Sequence, residues 1–417
     1  MHSIIKLKNR VVSKIGAIGV IAVSCSNFII LLIVQTHLSP DDFGVFAISQ
    51  ISQQFGMAAV NAIFCSPLVV LFNKENNQSA LKEFILPFNF FCIAASLACA
   101  GYILALSNSY PTALAMIASC YLNWTRWFLR SIELASLRFL SPAKSDIYYS
   151  VALSLASIAM LLADEVSLIN AIYIQIFGTI LAIFSIRRSA ALLFSSTSVS
   201  SFKTFRRLLK KHGSWALAGV SASESLSNSH AWLGTALLGP TAYAPIAAVS
   251  LFFRPTLVIN QALTQYRTPV FSRLIASEEL EQLKTGVSSF SRTSLIVTLC
   301  NCAAVILIIS LTPNIVGGGQ YHYDTLLLSA IFLSGAFIAR SCRSAQSAAL
   351  QGDGRFKDLA ILTALCSPIS ISTVVFSATM FPANSEYLLL GVFAGELSNY
   401  LLVRARFRSV ARRWRSQ

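Results

Sequence analysis

The chain has 417 residues, of which 55% are apolar and only 12% charged, and its formal net charge is +15. Soluble domains carry about 25% charged residues, and a transmembrane helix takes about 20 mostly apolar ones. The composition therefore excludes a soluble enzyme, a nucleic-acid-binding domain and a disulfide scaffold, and predicts an all-α polytopic membrane protein.

The apolar runs predict about twelve spans, at 15–37, 43–72, 85–107, 112–132, 147–163, 166–186, 213–237, 241–271, 287–311, 323–350, 359–381 and 386–404. The connections alternate in charge. One set holds Lys6, Lys8, Arg10 and Lys14, then Lys74 and Lys82, Arg138 and Lys144, the run Arg187 to Lys211, Arg273 and Lys284, Arg355 and Lys357, and a tail from Arg406 to Arg415. The other set, 38–42, 108–111, 164–165, 238–240, 312–322 and 382–385, contains no Lys or Arg. Cytoplasmic loops concentrate basic residues, so both termini are predicted to be cytoplasmic, and the basic balance needs no nucleic-acid partner. The basic start and the apolar run Gly16–Val34 imitate a signal peptide. The run is too long, however, and no small-residue cleavage pattern follows it, so it is read as the first span.

The nine cysteines all fall in predicted spans and form no CxxC pair, and His is scattered. They read as small apolar residues. No metal site, nucleophile or nucleotide loop appears, so neither a cofactor nor covalent chemistry is expected. Gly317-Gly-Gly319 lacks the Lys-Ser/Thr of a phosphate loop and reads as a flexible exterior loop.

A shift of 200 residues brings Leu38-Ser-Pro-Asp-Asp-Phe-Gly-Val-Phe-Ala47 onto Leu238-Gly-Pro-Thr-Ala-Tyr-Ala-Pro-Ile-Ala247, Asn61 onto Gln261, and Gly19-Val20 onto Gly219-Val220. The chain then divides into an N-terminal six-helix bundle at 1–186, a basic cytoplasmic linker at 187–212, a C-terminal six-helix bundle at 213–404 and a basic tail at 405–417. Six spans per half preserve orientation, which gives a parallel pseudo-two-fold repeat. The linker and tail are expected to lie against anionic membrane lipid, at ~1 kcal/mol per basic residue near the surface.

These turns, with Pro269-Val-Phe-Ser-Arg-Leu closing the eighth span, resemble those of the O-antigen and polysaccharide flippases of the multidrug/oligosaccharidyl-lipid/polysaccharide exporter superfamily. The resemblance is topological over most of the chain and motif-level only at the turns. It implies two six-helix bundles around a central cavity lined by the first two helices of each half, alternating access, and the bacterial cytoplasmic (inner) membrane.

An ionisable side chain at membrane depth costs about 2.5–3.5 kcal/mol on insertion scales, which makes it a functional candidate. In span seven, Ser221, Glu224, Ser225 and Asn228 share a face. In span eight, Ser250, Arg254, Gln261 and Gln265 do so, and Pro255 predicts a kink beside Arg254. Span two has Gln50, Gln53, Gln54 and Asn61 along one stripe. The candidate substrate-binding residues are thus Arg254, Glu224, Gln54, Gln53, Asn61, Gln261 and Asn228. Two roles stay open for Arg254, contact with a substrate phosphate or structural pairing with Glu224. Arg126, Arg130, Arg340 and Arg343 read as snorkelling towards the cytoplasmic interface, and Glu396 follows the close-packing pattern Gly391-x-x-x-Gly395.

The expected function is a flippase for an oligosaccharide carried on polyprenyl pyrophosphate. Gln and Asn would meet sugar hydroxyls and Arg would meet phosphate, with the lipid tail left in the bilayer. A glycan polymerase or glycosyltransferase is a candidate partner, and the oligomeric state is left open. The first alternative is a cation-coupled drug antiporter of the same superfamily, although span one holds no carboxylate. A membrane polymerase or ligase is the second, and the longest exterior loop, 312–322, is short for one.

Overall fold

The computed structural model describes residues 2–68, 79–136, 138, 140–191, 205, 206, 209 and 214–416, and it contains no strand among them. The chain forms two compact units, Met1–Leu217 and Ala218–Gln417.

The first unit holds α1 (His2–His37), α2 (Pro40–Val60), α3 (Ser79–Ser107), α4 (Tyr110–Ala135), α5 (Leu140–Leu162) and α6 (Leu168–Ser185). Short polar caps explain the tight turns that open α2, α4 and α6. Ser39 Oγ accepts from the Asp42 N–H at 3.2 Å, with Pro40 opening α2. Ser109 and Ser167 start α4 and α6 in the same way. Such caps satisfy amide donors that the helix itself leaves orphaned. α1 lies along α5, and α4 packs against α3 and α6. An aromatic cluster closes the end of the unit beside the linker, where Phe88 stacks on Phe128 at 4.2 Å and Phe205 of the linker on Phe64 at 5.0 Å.

The second unit holds α7 (Ser214–Leu238), α8 (Pro240–Leu251), α9 (Arg254–Ala276), α10 (Leu280–Leu311), α11 (Tyr323–Gly352), α12 (Phe356–Met380) and α13 (Leu389–Ser416). The α7–α8 turn is built differently from its counterpart at Ser39. Gly239 takes φ +90°, a conformation that costs Gly little and other residues much. α11 is the hub, packing against α9, α10 and α13. At the foot of the unit, Phe271, Leu283, Val287 and Phe290 form a core with Phe407 and Trp414 against it.

Among the described residues, seven helical segments are long and apolar enough to cross a membrane, eight if α8 and α9 count as one bent span. Of the four other expected spans, α1 has an apolar stretch, Ile21–His37, that is shorter among the described residues, and α2, α4 and α7 are helical but do not reach the same apolar character.

Several boundaries differ from the sequence expectation. α10 starts at Leu280 and α13 runs to Ser416, so the basic tail is a continuation of the last helix and not a separate segment. Leu283, Phe407 and Trp414 pack into a core at these helix ends, which extends the helices past the expected spans. Gly317–Gly319 is a packed turn and not a loose loop: a Cβ on Gly317 would lie 2.2 Å from the Tyr321 ring. Most of the linker and Lys74 lie outside the described residues.

Candidate functional site

Serines of α12 fix the rotation of α7. Ser367 Oγ donates to the Ala222 carbonyl at 2.9 Å, Ser370 Oγ donates to the Leu226 carbonyl at 3.1 Å, and Ser229 and Ser370 share a hydroxyl bond of 2.9 Å. With that face pinned, Glu224 and Asn228 occupy a half-buried one. Glu224 Oε1 accepts from Asn228 Nδ2 at 3.0 Å and from Trp232 Nε1 at 3.3 Å. Both donors are neutral and lie four and eight residues along the same helix, hence on the same face.

Arg254 is the first residue of α9. Pro255 has no N–H and crowds the carbonyl of the preceding turn, and the chain bends by 57° between α8 and α9. The bend is stabilised from two sides. Asn301 Nδ2 of α10 donates to the Phe252 carbonyl at 3.2 Å, and Phe253 stacks on Phe337 of α11 at 4.9 Å. Arg254 is half-buried beside the buried ring of Tyr243. Among the described residues it makes no ion pair, so the structure does not join Arg254 to Glu224. Gln261 and Gln265 follow on α9 and are exposed.

The first-unit candidates separate into two kinds. Gln53 is only 4% exposed: it donates to Ser119 Oγ at 3.1 Å, accepts from Asn123 Nδ2 at 3.0 Å, and its carbonyl takes the Trp124 indole N–H at 2.9 Å. It ties α2 to α4. Gln50 donates to Gln175 of α6 at 3.1 Å. Gln54 of α2 and Asn61 just after it, seven residues apart, are exposed. Asn61 opens a π-helical turn, Asn61–Cys65, of the kind that often re-aims side chains at functional positions.

The intramembrane arginines correct the snorkelling expectation. Arg126 and Arg130 of α4 both bind Asp146 of α5, at 2.7 and 3.1 Å, and the Arg126 guanidinium lies 4.1 Å from the centre of the Tyr149 ring. In the second unit Arg340 and Arg343 of α11 bind Glu396 of α13, at 2.6 and 3.1 Å. Each cluster reaches the first helix of its half. Tyr149 donates to Asn27 of α1 at 3.2 Å, and Arg340 donates to Ser227 of α7 at 2.8 Å. Pairing won over snorkelling because a carboxylate lies within reach on a neighbouring helix, and a charge held in protein needs a partner. Asp146 escaped notice because it precedes the predicted fifth span by one residue, and Asn301 because an amide in an apolar helix carries no distinctive spacing.

No protein-family model matches the sequence, and no curated protein does. Solved structures do. The inward-facing form of a multidrug resistance MATE family transporter of the MOP superfamily aligns at 12% identity over 95% of this chain and 96% of that one, with a TM-score of 0.73. The lipid II flippase MurJ, in an inward closed conformation, aligns at 12% identity over 94% and 87%, with a TM-score of 0.72. The eukaryotic MATE transporter AtDTX14 aligns at 17% identity over 98% of both chains, with a TM-score of 0.67. At these identities the likeness establishes the fold, and the chain is a multi-pass membrane protein with the twelve-helix, two-bundle architecture of these transporters.

Proposed function

We propose that the protein is a flippase that moves an oligosaccharide on polyprenyl pyrophosphate from the cytoplasmic to the outer leaflet of a bacterial inner membrane, by alternating access and without covalent chemistry. The observation that carries this reading is Arg254, a guanidinium without an ion pair at the start of α9. A cation there is disfavoured by the positive end of the helix, and a bound anion relieves both. A pyrophosphate offers the planar, two-oxygen acceptor that Arg matches. Exposed Gln54, Asn61 and Gln261 supply amides for sugar hydroxyls. The basic loops favour both termini in the cytoplasm, and glycosyltransferases or a polymerase that make and consume the substrate would be its partners.

A second reading, a cation-coupled drug antiporter, is favoured by Glu224, a membrane carboxylate whose hydrogen-bond donors are both neutral. α1 offers no carboxylate to accompany it. Deletion of the gene separates the two. The flippase reading expects loss of surface glycan, accumulation of the lipid-linked intermediate and unchanged drug tolerance. Drug sensitivity with normal glycan would refute it.

A further inference from the structure

The last helix has two opposed faces. Val403, Phe407, Val410 and Trp414, three or four residues apart, face the protein and pack on Leu350 or on the Phe271–Phe290 core. Arg406 is held by Asp358 of α12 through two bonds of 2.6 and 2.9 Å. These contacts fix the rotation of α13 well beyond its apolar stretch. The opposite face reads Leu397, Leu401, Arg404, Arg408 and Arg412, again at helical spacing. Leu397 and Leu401 are exposed, as are Arg408 and Arg412, and Arg404 is half-exposed with its Nη1 on the Tyr400 hydroxyl at 2.9 Å. α12, packed alongside, repeats the order: Ile369, Leu365 and Ile361 are exposed, and then comes Lys357.

Exposed leucines that give way to arginines on one face of a rigid helix mark the edge of the hydrocarbon. A rise of 1.5 Å per residue puts Arg408 ~6 Å and Arg412 ~12 Å beyond Arg404, against a headgroup layer of roughly 5–7 Å. Arg404 and Arg408 therefore stand at phosphate level, with Arg412 within a Debye length of it. We infer that the Arg404–Arg408–Arg412 face of α13 is a binding site for anionic phospholipid headgroups. Charge complementarity sets the occupant, because guanidinium forks take phosphate oxygens in pairs and the leucines above them take the acyl chains. This site is separate from Arg254 and does not depend on what the protein transports.

The test uses the full chain in neutral detergent micelles containing either phosphatidylcholine or phosphatidylglycerol, read by thermal unfolding and by the phospholipid retained after purification. Wild-type protein is expected to melt higher with phosphatidylglycerol and to retain it. Arg404→Gln/Arg408→Gln should lose most of that shift, and Arg404→Lys/Arg408→Lys, which keeps the charge without the fork, should keep part of it. If the glutamine pair does not fold, Arg408→Gln alone, at an exposed side chain, should still reduce the shift. Equal melting of the wild type in both lipids, an undiminished shift in the glutamine variants, or the same shift from inorganic phosphate without lipid would overturn the inference.

Discussion

Arg340 on α11 gives two hydrogen bonds, at 2.6 and 2.9 Å, to one carboxylate oxygen of Glu396 on α13, while Arg343 takes the other oxygen at 3.1 Å. Glu396 has no exposed surface. The close approach of α13 makes this possible: a Cβ on Gly391 would lie 2.4 Å from Val374, and one on Gly395 2.8 Å from Leu226. Glu396→Ala would leave two guanidiniums without their acceptor. Breaking a buried pair costs about 3–5 kcal/mol, so this variant should accumulate poorly in membranes and melt well below wild type. Replacing all three charges, as in Glu396→Gln with Arg340→Gln and Arg343→Gln, should recover much of the abundance.

Gly56 faces the ring of Trp124, and an added Cβ would lie 2.0 Å from it. Trp124 is fully buried, with its N–H committed to the Gln53 carbonyl, so it cannot step aside. Gly56→Ala should destabilise the first unit by about 1–3 kcal/mol, the usual cost of overpacking. A fluorescence-detected thermal melt of the purified protein checks this.

Gln53 and Gln54 are adjacent but should behave oppositely. Gln53→Leu strands the buried Ser119, and an unsatisfied buried group costs about 1–3 kcal/mol; it also takes the acceptor from half-buried Asn123. It should lower thermal stability. Gln54→Leu and Asn61→Leu change exposed side chains and should leave stability near wild type while lowering surface glycan. Melting curves and glycan blots on the same three variants separate the roles.

Much of this architecture was legible in the sequence. Apolar runs and empty exterior loops gave the helices, because length and charge asymmetry are one-dimensional signals. Pro255 announced the bend. The charge network was not legible. The four arginines have the same helical spacing whether they snorkel or pair, and only the approach of α5 and α13 decides between the two. Gln53 and Gln54 lie on one polar stripe, yet a single residue step separates a buried tie from an open side chain.

Asn301 holds the break in place. Asn301→Leu would remove this 3.2 Å bond to the Phe252 carbonyl, at a cost of about 0.5–1.5 kcal/mol, the net worth of one hydrogen bond. Because the lost bond sits at the bend, the variant should impair transport more than its modest loss of melting temperature implies. Measuring both on one preparation tests whether the bend geometry matters to function.

The most direct test of the account is translocation of a fluorescent polyprenyl-pyrophosphate oligosaccharide by purified protein in liposomes, compared for wild type, Arg254→Lys, Arg254→Ala and Arg254→Ala/Glu224→Ala. Wild type should move the headgroup, the lysine variant should move it slowly because it keeps charge without the fork, and Arg254→Ala should fail while remaining folded. The double variant should fail as well, because the structure shows no ion pair whose joint removal would restore balance. Translocation by Arg254→Ala at the wild-type rate, or its recovery in the double variant, would contradict the assignment of Arg254 as the phosphate site.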